Sequence, residues 1–164
     1  MQVESPFAVL SAVVAPALLT NSSTVLVLGL GNRIARVTDR TRAVAAVMAS
    51  VDARSELYGR LQFQANQLRQ RSQHLARAIR LGYAAVGGFA AEALIAVLGG
   101  VLVHYGFAIA ARVAALLALA IGFVSVGALV SACVYMVQES AIALDNLAQE
   151  AETVMMEAAR RAVP

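Results

Sequence analysis

Three long apolar runs constrain this chain more than any other feature. They extend from about Pro6 to Gly31, from about Leu81 to Val103 and from about Phe107 to Val137. Each meets the length of about 20 residues that a helix needs to cross a bilayer. Only His104, Tyr105 and Gly106 separate the second run from the third, so these two should form a tight antiparallel hairpin. Composition agrees. Sixty per cent of the residues are apolar and 14% are charged, whereas a soluble domain is nearer half and a quarter. The surplus apolar surface must face something other than water.

Arginine placement predicts the orientation. Residues 32–80 hold ten Arg against Asp39, Asp52 and Glu56, a net charge of +7. The opposite side offers Glu4 and, near the third run, Arg112. The N-terminus and the 104–106 turn are therefore expected outside, and residues 32–80 and the C-terminal tail in the cytoplasm. The start of the chain lacks the positive region of a secretory leader, and the apolar run that follows is too long for one. It reads as a permanent span.

The expected organisation has four parts. Residues 1–31 form the first transmembrane helix and 32–80 a cytoplasmic helical hairpin. Residues 81–137 form the transmembrane hairpin, and 138–164 an acidic cytoplasmic helix. No Pro or Gly lies between Asn32 and Ser50, so the first helix should continue to about Ala49 and turn near Ser50 to Ala53. Leu57, Leu61, Leu68, Leu75 and Ile79 make one apolar stripe, and Leu144, Leu147, Ala151, Val154, Met155 and Ala158 another. The fold class expected is an all-α membrane protein whose three transmembrane helices continue into a cytoplasmic three-helix bundle. The tail, at −3, would dock on the +7 hairpin. Each exposed ion pair contributes only about 0–1 kcal/mol, so burial of the stripes should matter more.

A second stripe runs along the first helix. At about 100° per residue, Glu4, Ser11, Ala15, Leu18, Ser22, Gly29, Arg33, Arg36 and Arg40 fall within about 40° of a common line. A helix lining an aqueous path accounts for this order. Glu4 would ring an outer mouth, Ala15 and Leu18 would form an apolar constriction able to gate by dewetting, and the three arginines would ring an inner vestibule. The alternative is that the serines are small helix-contact residues and the arginines bind lipid phosphates and the acidic tail. Pro16 could kink the helix and rotate one half of the stripe against the other. Thr20, Asn21, Ser22, Ser23 and Thr24 are five consecutive polar residues near mid-membrane. They cannot all face lipid cheaply, so some are expected to meet water, a partner helix or an ion.

Glu92 sits at the centre of the second run, where a carboxyl is costly and usually faces a partner or a wet cavity. Its neighbours at four-residue steps, Ala84, Gly88, Ala96 and Gly100, are small and would let another backbone approach. Glu92 is either a proton or cation site, with Thr20, Asn21 or Ser125 as partners at similar depth, or a neutral acid hydrogen-bonded across a helix contact. His74 and His104 lie on opposite sides of the membrane and form no metal pair. Cys133, the one cysteine, reads as a small core residue. No nucleophile–base grouping suggests an enzyme, no cofactor is implied, and the basic residues flank a membrane instead of suiting a nucleic acid.

The run Pro6-Phe7-Ala8-Val9-Leu10-Ser11-Ala12-Val13-Val14-Ala15-Pro16-Ala17-Leu18-Leu19, with Asn32-Arg33-Ile34-Ala35-Arg36-Val37-Thr38-Asp39-Arg40-Thr41-Arg42 after it, resembles a family of small bacterial membrane proteins known only as a domain of unknown function. The resemblance implies a bacterial inner membrane and three spans and carries no activity with it. It marks Asn32, Arg33, Arg36, Asp39, Arg40 and Arg42.

The function expected is that of a homo-oligomeric, channel-like membrane protein with the first helix around the axis. Anionic lipid headgroups at Arg33, Arg36, Arg40 and Arg42 are candidate partners. Two rivals stand beside it: a membrane scaffold or regulator that docks a partner through its cytoplasmic helices, and a small proton-coupled transporter using Glu92.

Overall fold

The computed structural model describes residues 6–162, with side chains described for residues 14–146, 148, 151 and 155. Among these residues the protein is all helix: α1 is Pro6–Ser50, α2 Glu56–His104 and α3 Ala108–Ala162. Each is long and apolar enough to cross a membrane. Only 6% of the most apolar stretch of α2 and 11% of that of α3 is buried inside the protein. Side chains so apolar and so uncovered are suited to lipid.

Local chemistry explains where the helices stop. Asp52 accepts a hydrogen bond from the Arg54 amide through Oδ1 at 3.0 Å, and the Ser55 hydroxyl accepts one from the Tyr58 amide at 3.1 Å. The first is an Asx turn and the second an N-cap for α2. At the other end of α2, the Phe107 amide donates to Leu102 O at 2.9 Å and the Gly106 amide to Val103 O at 3.0 Å. This is the Schellman pairing, which requires a left-handed residue. Gly106 supplies it with φ of 80°.

The helices gather into two units, residues Met1–Gly31 with Ala78–Cys133, and Asn32–Arg77 with Val134–Pro164. In both, burial follows a seven-residue step. On α1 the buried positions include Pro16, Ser23, Leu30, Val37 and Val44; on α2, Leu68, Leu75, Gly82 and Phe89; on α3, Ala118, Ser125, Ala132 and Glu139. A seven-residue repeat keeps one seam of a helix facing its neighbours in left-handed packing. Small residues dominate that seam in the first unit. Gly82 lies so close to Val27 that a Cβ there would stand 2.7 Å from Cγ2 of the valine.

In the second unit the expected apolar stripes are only partly used. Leu68 and Leu75 are buried, but Leu57 is 51%, Leu144 67% and Met155 72% exposed. Ala151 is exposed too, and the side chains of Leu147, Val154 and Ala158 lie outside the described set. The reason is angular. Leu144 follows Glu139 by five residues, which turns it about 140° from the seam. The residue that α3 does bury here is a carboxylate, Glu139.

Candidate functional site

The stripe on α1 can be followed from Ala15 onward, since Glu4 and the side chain of Ser11 lie outside the described residues. Ala15, Ser22, Gly29 and Arg36 stand one residue before Pro16, Ser23, Leu30 and Val37. Two heptad series offset by one residue hold a constant angle of about 100°. The stripe is therefore a second seam beside the buried one. Ala15, Leu18, Ser22, Gly29, Arg36 and Arg40 are all exposed on it, and a Cβ at Gly29 would meet nothing within 4 Å. The helix continues through Pro16 without a break.

Within the polar run Thr20–Thr24, four side chains find partners in their own helix. The hydroxyls of Thr20, Ser22, Ser23 and Thr24 donate to the carbonyls of Pro16, Leu18, Leu19 and Thr20, at 2.7–3.0 Å. A helical Ser or Thr can reach the carbonyl four residues back, so these hydroxyls have a partner without leaving α1. Asn21 differs. Its carboxamide has two donors and an acceptor oxygen, and it is exposed.

Arg33 leaves the stripe to join a buried carboxylate. Its Nη1 donates to Glu139 Oε2 at 3.1 Å and to the Ser140 hydroxyl at 2.9 Å. From α2, Arg71 donates to Glu139 Oε1 through Nε at 2.9 Å and Nη2 at 2.7 Å. Glu139 is 2% exposed, whereas the Arg33 and Arg71 side chains are 39% and 23% exposed. One carboxylate thus ties α1 and α2 to α3. An open cleft of about 480 Å³ lies beside it, lined by Arg33, Arg36, Arg40, Arg71, Glu139 and Ser140 with four apolar residues. Arg42 stands apart, exposed and 4.0 Å from Asp39. Arg71 and Glu139 were not singled out from the sequence. The signal available was the seven-residue step from Ala118 through Ser125 and Ala132, which lands on Glu139.

Glu92 and Ser125 are placed by glycines on the facing helix. A Cβ at Gly122 would stand 2.7 Å from Glu92 Oε1, and one at Gly88 would collide with Ser125 Oγ and reach its Cβ at 3.1 Å. Each polar side chain occupies the space that a glycine leaves open. The Ser125 hydroxyl donates its proton to Ile121 O at 2.7 Å. Glu92 is half-buried.

Three helices of this length and apolarity fit a small three-span membrane protein. Within that class the chain belongs to a family described as protein of unknown function, DUF2721, whose model matches residues 13–149. The family expected from the opening run and from Asn32–Arg42 is of this kind. No curated protein matches the chain, and no solved structure does.

Proposed function

We propose that the protein is a homo-oligomeric, channel-like membrane protein whose α1 helices surround a shared axis. The observation that carries this reading is the second seam. Ala15, Ser22 and Gly29 recur with the seven-residue spacing of a packing surface, yet all three are exposed. Small residues at that spacing admit a close helix from another copy. Asn21 stands about 100° from Ser22 on the side away from buried Ser23. Leaving its amide to hydrocarbon costs a few kcal/mol, and a neighbouring copy removes that cost.

In such an assembly Leu18, 62% exposed, projects from the stripe as the apolar constriction. Arg36 and Arg40 ring the inner vestibule, and Arg33 serves Glu139 instead. The excess of arginine in 32–80 sets the N-terminus outside and the helical extensions in the cytoplasm of a bacterial cell. Glu4 then stands at the outer mouth.

The test is the oligomeric state in native-like bilayers together with ion flux in liposomes. A ring of copies is expected, with Leu18→Ser raising leak by wetting the constriction. A monomer, or a Leu18→Ser variant as tight as the parent, overturns the channel. The half-buried Glu92 packed on Gly122 favours a second reading, a proton-coupled transporter. Loss of proton-driven flux in Glu92→Gln, with Leu18→Ser silent, would select it.

A further inference from the structure

We infer that the cleft beside Glu139 is a binding site for a phosphate-bearing anion, with a lipid headgroup as the source its position favours. This inference shares Arg36 and Arg40 with the channel reading, and its test reads lipid binding instead of ion flux.

Charge is the first argument. Four guanidinium groups, from Arg33, Arg36, Arg40 and Arg71, line the cleft against the single carboxylate of Glu139. The lining thus carries a net charge of +3. Glu139 does not neutralise the cleft; it organises it. The carboxylate is 2% exposed, so little of it is offered to an anion entering the cleft. Arg71 gives Nε and Nη2 to Glu139, so Nη1 takes no part in that fork. Arg33 gives Nη1 to Glu139 and Ser140, and Nε and Nη2 are not used there. Arg36, which lines the cleft, uses Nε on Asn32 O at 3.3 Å. A guanidinium has five N–H donors in a rigid plane. Groups of that shape, held by a buried anchor, match a tetrahedral oxyanion through paired bonds. The chain uses Arg for every basic side chain, and Arg suits this geometry better than the point charge of Lys.

Distance along α1 is the second argument. Arg33, Arg36 and Arg40 follow Gly31 by two, five and nine residues. At 1.5 Å per residue these are rises of about 3, 8 and 14 Å. The polar layer on each face of a bilayer is about 5–8 Å deep. Arg33 and Arg36 therefore fall at headgroup depth when the apolar run spans the hydrocarbon, and Arg40 stands just beyond.

The test uses the full chain, purified in a nonionic detergent. Dioleoyl phosphatidylglycerol, dioleoyl phosphatidylcholine and inorganic phosphate are titrated separately, and bound lipid and the unfolding temperature are read. Phosphatidylglycerol is expected to bind about tenfold more tightly than phosphatidylcholine. Arg36→Gln with Arg40→Gln should erase that preference at a small cost to the lipid-free unfolding temperature, because both side chains are exposed and interactions of exposed side chains contribute little. Arg36→Lys with Arg40→Lys keeps the charge and should fall between the two. Stabilisation of the parent, but not of the Gln pair, by millimolar inorganic phosphate without a lipid preference assigns the site to a soluble phosphate. The inference is overturned by equal binding of the two lipids with no effect of phosphate, and equally by binding that the Gln pair leaves intact.

Discussion

Glu139 shows how much one side chain can carry. It takes a seam position that α3 fills elsewhere with Ala118, Ser125 and Ala132. A carboxylate 2% exposed is tolerable there only because Arg33 and Arg71 meet both of its oxygens. Removing one partner of a buried pair strands the others, at about 3–5 kcal/mol. Both arginines keep some contact with solvent, so Glu139→Gln is expected to cost about 2–3 kcal/mol in reversible unfolding. Replacing Arg33, Arg71 and Glu139 together by Met should recover much of that loss, since an apolar substitute for a buried ionic triad is often neutral. A triple variant no more stable than Glu139→Gln would refute the account. Composition hides this residue. The tail has five acids, and only register along α3 separates the buried one from its neighbours.

At the scale of the helices, α2 and α3 fit through paired concessions, Glu92 over Gly122 and Ser125 over Gly88. The two are not equal. A Cβ at Gly122 meets the far end of a flexible side chain, which can swing away. A Cβ at Gly88 meets a short side chain whose own Cβ would stand 3.1 Å off. Gly88→Ala should therefore lower the unfolding temperature clearly more than Gly122→Ala, and Ser125→Gly should restore the Gly88→Ala variant. Absence of rescue in that double variant would show that the close approach lies elsewhere. Helix number was legible in the sequence because three apolar runs leave no other reading. The helix through Arg33 to Ala49 was legible because no Gly or Pro interrupts it. The self-satisfied hydroxyls of Thr20 to Thr24 were legible in principle, since the bond spans four residues. The seam was harder to see. Its occupants are as unlike as Pro16, Gly82, Ser125 and Glu139, so hydrophobicity alone does not trace it, and apolar Leu57 and Leu144 fall outside it.

For the molecule as a whole, the two connections differ in kind. Both are hydrogen-bonded and hold exposed residues, but the 51–55 link carries the charged Asp52 and Arg54, whereas Tyr105, Gly106 and Phe107 join two apolar helices with no charge between them. If arginine bias sets the orientation as proposed, trypsin should cut after Arg54 in inverted membrane vesicles and spare that bond in right-side-out ones. The reverse pattern would invert the topology and, with it, the assignment of mouth and vestibule.

The same turn leaves little chain between α2 and α3. Between α2 and α3 the chain has no room for a loop large enough to grip a protein, a sugar or an antibody. In the orientation proposed above, the connection left within reach of a soluble partner is the 51–55 link, with Asp52 and Arg54 on it.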